Sequence, residues 1–252
     1  NKSNFINIDK DRINNIIVQI KKLLENNKKD LNNKLYKEIS TISQNIDTLT
    51  NYPIELFFKP YEKLVAVLAS KLEKYINPLV LEIEQDIYIP SNYIPFINSL
   101  VHIFRNSVDH GIESLDDRYE AEKDEYGTIE CKIKKIDNNI EITISDDGAG
   151  VDIEKIRSLA IEKNIHTKSE LENFTEKDIV MIIFKDAFST KDTISTISGR
   201  GVGLASIVTE LENIDGSMDV ENSFGKGIKV TFTLNYNSEE TFEEEDEVLF
   251  VF

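Results

Sequence analysis

The sequence predicts an α+β fold, a two-layer α/β sandwich in which helices cover one face of a mixed, mostly antiparallel sheet. Two stretches, residues 128–136 and 139–146, alternate apolar and polar side chains and are joined by Asp137-Asn138, a favoured hairpin turn. Two further stretches, residues 152–163 and 175–184, repeat apolar side chains at helical spacing. Strands joined by a hairpin and mixed with helices favour a sheet with helices packed on one face.

The remaining elements follow from the same patterns and from the positions of proline and glycine. They divide the chain into a helical hairpin, residues 1–52, a compact α+β domain, residues 53–236, and an acidic tail, residues 237–252. Within these regions we predict helices over residues 11–25, 31–49, 56–72, 102–113 and 201–212, strands over 79–84, 217–222 and 228–234, and loops over 114–127 and 185–200.

The charge and composition of the chain exclude several classes of partner. Its 252 residues carry a formal charge of −17, which argues against nucleic acid and anionic membranes, because both require a basic surface. The single cysteine, Cys131, excludes an internal disulfide framework and is expected in the core of a strand. The sequence contains no membrane-length apolar run and no secretory signal, so we expect a cytoplasmic protein, and Asn1 as first residue indicates a fragment.

The N-terminal hairpin carries an apolar seam that alternates steps of four and three residues, as in a coiled coil. Two helices with one such seam bury it poorly on their own. Pairing with a second copy into a four-helix bundle would cover the seam, and packing on the following domain is the alternative. The seam consists of Leu35, Ile39, Ile42, Ile46 and Leu49.

The stretch HIFRNSVDHGIE, residues 102–113, places chemically distinctive side chains on one side of a predicted helix. His102, Asn106, Asp109 and Glu113 fall within roughly 60° of one another, with His110 beside them and Gly111 at the helix end. A solvated face is the ordinary interpretation, but such faces usually carry lysine and glutamate. Imidazole, carboxamide and carboxylate together suit a metal–phosphate site better.

The stretch ITISDDGAGVD, residues 142–152, aims a carboxylate toward the core. Asp146 shares a strand face with Ile140, Ile142 and Ile144, and a buried carboxylate without a partner is costly. Gly148 and Gly150 then allow a ligand to approach the backbone closely. A purine fits this site, because its exocyclic amine can donate to the carboxylate, and a plain Asp-Gly turn is the alternative.

The stretch SGRGVGLASIV, residues 198–208, places three glycines, Gly199, Gly201 and Gly203, at the entrance of a predicted helix. Backbone N–H groups at such an entrance form an anion cradle that the helix dipole strengthens. Three glycines alone are weak support, and their spacing does not match a dinucleotide fingerprint. Phe188, just before Ser189 and Thr190, would anchor a lid over the phosphates.

In this order, the three stretches and the loop FSTKDTISTISGRGVG between them resemble the ATP-binding domain of the GHKL superfamily, which includes histidine kinases, gyrase, MutL and a heat-shock chaperone. Within it, residues 46–234 are similar to the CheA-like histidine kinases, in which dimerisation helices precede the catalytic domain. The sequence departs from those kinases at Leu204-Ala205, where they usually have Met-Asp, and in the acidic tail that replaces their regulatory domain.

The resemblance implies ATP and Mg²⁺ as cofactors and a role for each matching residue. Asn106 would bind Mg²⁺, Asp146 would recognise adenine, His110 would lie near the phosphates and Thr231 near adenine. His102 would act as the catalytic base or orient the transferred group. The other nucleotide-binding residues implied are Gly148, Gly150, Phe188, Ser189, Thr190, Ser198, Gly199, Arg200, Gly201, Val202, Gly203 and Leu204.

The positions of the histidines indicate where the acceptor of the phosphoryl group would lie. Residues 1–101 contain no histidine, so the predicted dimerisation helices carry no acceptor. The resemblance therefore implies a homodimeric kinase that phosphorylates a separate histidine phosphotransfer domain, which then supplies a response regulator. A GHKL-type ATPase, or a nucleotide-sensing module without kinase activity, is the alternative.

Overall fold

The computed structural model describes residues 51–185 and 203–236, together with residues 16, 18–23, 39 and 42, which are helical. Most of the predicted helical hairpin, the central part of the predicted lid and the acidic tail lie outside these residues. The prediction of a lid anchored by Phe188, Ser189 and Thr190 falls in that part of the chain, as does the cradle from Ser198 through Val202, which includes Gly199, Arg200 and Gly201.

Two sets of elements make up the described residues. The helices are α1 (Glu55–Lys71), α2 (Ile94–Ser99), α3 (Val101–Asn106), α4 (Leu115–Glu120), α5 (Ile153–Glu162), α6 (Lys168–Leu171), α7 (Glu176–Met181) and α8 (Ala205–Glu212). The strands are β1 (Tyr52–Pro53), β2 (Val80–Ile83), β3 (Tyr88–Ile89), β4 (Ile129–Ile136), β5 (Asn139–Asp146), β6 (Ser217–Ser223) and β7 (Gly227–Asn235). Strands β2, β4, β5, β6 and β7 and helices α1, α5, α7 and α8 follow predicted elements, α3 covers the first half of one, and β1, β3, α2, α4 and α6 were not predicted.

The chain divides into two compact units. The smaller one comprises Asn1–Leu56 and Tyr88–Ile94, and in it β1 pairs antiparallel with β3. The larger one comprises Phe57–Ile87 and Pro95–Phe252 and holds the five-stranded sheet.

The large sheet has the strand order β2-β4-β5-β7-β6. Strands β4, β5, β7 and β6 pair antiparallel, and β2 joins the edge in parallel to β4. The predicted turn between β4 and β5 is confirmed, with Ile136 opposite Asn139 and Asp137 in a left-handed conformation (φ 50°). The mixed, mostly antiparallel sheet confirms the predicted fold class.

One face of the sheet carries the core. On β5 the side chains of Ile140, Ile142 and Ile144 are fully buried, and Phe232 on β7 contacts Phe96 of α2 edge to face. Tyr61 of α1 stacks on Phe104 of α3 at 4.5 Å between ring centroids. Aromatic and branched apolar side chains that interlock in this way hold the helices on one side of the sheet, as the sequence predicts.

A second apolar cluster holds α5, α6 and α7 together. Its buried members are Ile156, Ala160, Leu171, Ile179 and Ile182. Each of the three helices begins at a residue whose side chain accepts backbone hydrogen bonds, Asp152, Thr167 and Thr175 respectively. These caps satisfy amide groups that a helix start leaves without an intrahelical partner.

The segment 114–127, predicted as a loop, contains α4, so that prediction is wrong. Ser114 caps the helix by accepting a hydrogen bond from the Asp117 amide. Within α4 the buried side chain belongs to Arg118. Because this helix buries a charged side chain instead of an apolar one, it lacks the apolar repeat by which helices are predicted.

Candidate functional site

Asp146 lies at the end of β5 with its carboxylate inside the molecule. It is 8% exposed, on the same strand face as three fully buried isoleucines, which confirms the predicted direction of its side chain. The Ser107 hydroxyl donates to Asp146 Oδ2 at 2.7 Å, and the Gly148 amide donates to Oδ1 at 3.1 Å.

These surroundings act on the proton affinity of Asp146 in opposite directions. Burial raises the pKa of the Asp146 carboxyl above its usual range. The hydrogen bonds from Ser107 and from the Gly148 amide lower this pKa, while the neighbouring charge of Asp147 raises it. Donors that stabilise the ionised form keep a hydrogen-bond acceptor available in an apolar setting.

The helix before the site changes its geometry at Asn106. Helix α3 ends there and is followed by a π-helical turn, Ser107–Gly111, closed by a bond from the Ile112 amide to the Ser107 carbonyl at 2.7 Å. Such wide turns in helices are frequent at functional sites. The predicted stripe of polar side chains therefore does not extend to Glu113, which lies beyond the turn.

Gly111 is the last residue of the π-helical turn, so it lies at the helix end as predicted, but its φ is not positive. Its importance is close approach: a Cβ at Gly111 would lie 3.1 Å from Asp146 Oδ2. A Cβ at Gly148 would lie 2.1 Å from the Gly111 carbonyl oxygen, which accepts a hydrogen bond from the Ala149 amide at 2.8 Å. The two glycines bring the helix end and the segment after β5 into backbone contact.

Gly150 has a backbone conformation that favours glycine, but the group that approaches it closely belongs to the protein and not to a ligand as predicted. Its φ is +65°, and a Cβ there would lie 2.6 Å from the Ser223 carbonyl oxygen. Val151 donates from its amide to the Asn222 side chain at 2.7 Å. The segment after Asp146 is thus held against the turn between β6 and β7.

The polar side chains of α3 and of the π-helical turn differ in exposure. His102 and Asn106 are half-buried, one helical turn apart. Burial, and secondarily the charge of Arg105, lower the pKa of His102. The His110 side chain is 59% exposed and its Nε2 lies 3.4 Å from the Asp109 carboxylate. His102 is therefore the more shielded of the two imidazoles.

A cluster of charged side chains around the buried Arg118, beside the site, was not predicted. Arg118 is 1% exposed and lies between the carboxylates of Glu113, at 3.1 Å, and Asp147, at 3.0 Å. Lys123 pairs with the other oxygen of Glu113 at 2.5 Å. The sequence signal was available in retrospect, since Asp147 directly follows Asp146 and two cations lie in the segment that follows Glu113.

Thr231, predicted to lie near adenine, does not lie beside Asp146. It lies opposite Thr143 in the β5–β7 register, and the hydroxyls of these two threonines are 3.5 Å apart. Residues directly opposite in an antiparallel pair share a face, and successive residues alternate, so Thr231 lies on the other face of the sheet from Asp146. The residue opposite Asp146 is Ile228.

Of the predicted phosphate cradle, Gly203 and Leu204 are described. Leu204 is the residue from which α8 begins, and the Gly203 carbonyl accepts hydrogen bonds from the amide and the hydroxyl of Ser206. A helix therefore begins where the three-glycine pattern predicts one. A Cβ at Gly203 would meet no atom within 4 Å among the described residues.

A preformed metal cage of three or more histidine, cysteine or acidic side chains is absent from residues 51–185 and 203–236. A magnesium ion that depends on substrate phosphates needs only one or two protein ligands. The half-buried Asn106 fits that requirement, because its side chain does not cap the turn that follows.

In the described part of the chain, no helix is long and apolar enough to cross a bilayer.

Comparison with known proteins places this arrangement in a family. Residues 97–238 match the family model described as histidine kinase-, DNA gyrase B-, and HSP90-like ATPase. The chain belongs to this family. Within the family it is CheA-like, being 36% identical over 202 residues to the chemotaxis protein CheA of Bacillus subtilis. This confirms the resemblance on which the predicted site residues rest.

Other relatives agree. The chain is 38% identical over 188 residues to the chemotaxis protein CheA of Listeria monocytogenes and 34% identical over 186 residues to the sensor histidine kinase CheAY of Helicobacter pylori. The three alignments cover 75%, 73% and 72% of this chain. They cover 30%, 30% and 23% of the relatives, so the chain spans less than a third of their length.

Proposed function

We propose that this chain binds Mg²⁺-ATP and transfers the γ-phosphoryl group to a histidine on a separate phosphotransfer domain, which then supplies a response regulator. The observation that carries the proposal is the buried Asp146 carboxylate, held by Ser107 and the Gly148 amide next to Asn106. A site of this kind can accept a hydrogen bond from the adenine amine while the neighbouring helix faces the phosphates.

The roles proposed for the chain's own residues rest on the resemblance to CheA-like kinases and are consistent with their surroundings. Asp146 would recognise adenine, and Asn106 would hold Mg²⁺, which when bound neutralises phosphate charge. A P–N bond to the acceptor imidazole forms as the bond from the γ-phosphorus to the β,γ-bridging oxygen breaks and ADP leaves. His102, kept neutral by its lowered pKa, would accept the proton that the acceptor imidazole loses.

The experiment combines transfer with binding. The full chain, Mg²⁺ and γ-labelled ATP are incubated with a histidine phosphotransfer domain, and we expect label on that domain. Asp146→Asn should weaken ATP binding by about 1.5–3 kcal/mol, the range for a hydrogen bond to a charged group. Asp219→Asn, at an exposed aspartate paired with Lys177, is the control and should leave binding unchanged. Unlabelled acceptor, or unchanged affinity in Asp146→Asn, would contradict the proposal.

We also propose that residues 1–52 form a homodimer. Support comes from the heptad-like seam and from Ile42, a seam residue that is 55% exposed. Exposed apolar seams favour association, because burial of apolar surface is the main driving force. Sedimentation should show a dimer for the full chain and a monomer that still binds ATP for a chain beginning at Tyr52. A monomeric full chain at micromolar concentration would rule the dimer out.

A further inference from the structure

Arg118 is the largest of the fully buried side chains in the described part of the chain. Its guanidinium group donates to Glu113 Oε2 and to both carboxylate oxygens of Asp147, at 3.1, 3.3 and 3.0 Å. The remaining donors reach the carbonyl oxygens of Asp124 and Tyr126. Because the guanidinium group is planar and its donors point in fixed directions, these bonds set both the distance and the orientation of the Glu113 and Asp147 carboxylates.

Lys123 completes the cluster from the other side. Its ammonium group donates to Glu113 Oε1 and to the carbonyl oxygens of Asp147 and Gly148, both at 2.8 Å. Asp147 is further held by the Thr128 amide, which donates to its carboxylate at 2.8 Å. Two cations therefore face two carboxylates, so the cluster carries no net charge.

The cluster joins two segments that carry the candidate site. Glu113 follows the π-helical turn that begins at Ser107, and Asp147 and Gly148 follow Asp146. Where the two segments meet, Ser107 donates to Asp146 and the Ala149 amide donates to the Gly111 carbonyl. The cation cluster thus clamps both segments directly behind the contact that orients the Asp146 carboxylate.

We propose that Arg118 and Lys123 are positioning residues that hold Asp146 in register with the helix end, and so set the preference of this site for purines that carry an exocyclic amine. The inference rests on the proposed function. A purely structural role is the alternative, because removing one partner of a buried ion pair strongly destabilises a fold. A hydrogen-bonding site, in contrast, must hold its groups within about 0.5 Å of the productive geometry.

The test compares two nucleotides in the full chain. ATP donates to Asp146 through its amine, whereas purine riboside 5′-triphosphate lacks that amine. In Arg118→Met, ATP affinity should fall about tenfold or more, while affinity for the amine-free nucleotide stays within about twofold. Arg118→Lys should lie between Arg118→Met and the unmodified chain, because lysine keeps the charge but not the fork.

The control substitution is Arg157→Met, since Arg157 is partly buried and, like Arg118, donates to a backbone carbonyl, here that of Leu171 outside the cluster. It should change neither affinity. Circular dichroism at the titration temperature establishes that each variant is folded. Lys123→Met removes the second cation of the cluster and should lower ATP affinity to the same extent. It serves as the test if Arg118→Met does not fold.

Each outcome decides between the two roles. An equal loss for both nucleotides, or unchanged ATP affinity in folded variants, would overturn the positioning role. Unfolding of every cluster variant would also overturn it, since the cluster would then serve the fold alone. Failure of the unmodified chain to bind ATP, or full affinity in Asp146→Asn, would instead reject the proposed function.

Discussion

Residues 102–113 and residues 114–127 are neighbours in the chain, and they differ in what they contribute to the candidate site. The first segment contributes the Ser107 hydroxyl that binds Asp146, and it carries His102 and Asn106, for which we propose roles at the phosphates. The second contributes Arg118 and Lys123, which bind the backbone and side chains behind the site.

The difference lies in how each segment would affect nucleotide binding. A residue that contacts a ligand acts through its own atoms, so its type is recognisable from chemistry. A residue that holds another residue in place acts through geometry, and its contacts become visible only in the folded chain. The two segments are therefore expected to respond differently to substitution.

The largest expected effect belongs to the first segment. His102→Gln should lower the rate of transfer to a phosphotransfer domain by at least about 100-fold while ATP affinity stays within about 1 kcal/mol. His166→Gln, at a histidine paired with Glu170 and Lys185, is the control and should leave the rate unchanged. A parallel fall in affinity and rate would make His102 a residue that only holds Asn106 in place, and an unchanged rate would remove it from both roles.

A smaller effect is expected where the first segment meets the Asp146 carboxylate. Ser107→Ala removes a donor that lowers the pKa of Asp146, so that pKa should rise further. Because the ionised carboxylate binds the amine, ATP affinity should then be lost at a higher pH as the solution is acidified. Calorimetric titrations across the acidic range measure this, with a loss of about 1 kcal/mol expected where Asp146 is still ionised. Identical pH profiles for both proteins would exclude the contact.

The smallest effect should come from the exposed side of the second segment. Tyr119 lies on α4 next to Arg118 and is 84% exposed. Tyr119→Ala should change the free energy of unfolding and the ATP affinity by less than about 0.5 kcal/mol, as exposed positions usually do. A large loss of affinity here would mean that α4 contacts the ligand or a partner directly, and the contrast between the segments would fail.

Much of the fold could be predicted because its core elements follow simple periodicities. Strand β5 alternates buried isoleucines with polar residues along its whole length, so both its bounds and the inward direction of Asp146 were predicted correctly. The turn at Asp137 is likewise a local signal, which depends on neighbouring residues only.

The rest depends on contacts between distant residues. The π-helical turn at Ser107 has no sequence pattern, and it ends the regular spacing on which Glu113 was assigned to the polar stripe. Thr231 was matched by resemblance, whereas the pairing of β5 with β7 places Ile228 opposite Asp146. Arg118 was missed because a buried guanidinium group depends on carboxylates supplied by two other segments.

The central claim is that Asp146 and the end of α3 together bind Mg²⁺-ATP. The most direct test is a crystal structure of the full chain with Mg²⁺ and a non-hydrolysable ATP analogue. We expect the adenine amine at about 3 Å from a carboxylate oxygen of Asp146, and the Asn106 side-chain oxygen at about 2.1 Å from the metal. An adenine ring bound away from Asp146, with that carboxylate still bonded only to Ser107 and the Gly148 amide, would contradict the claim.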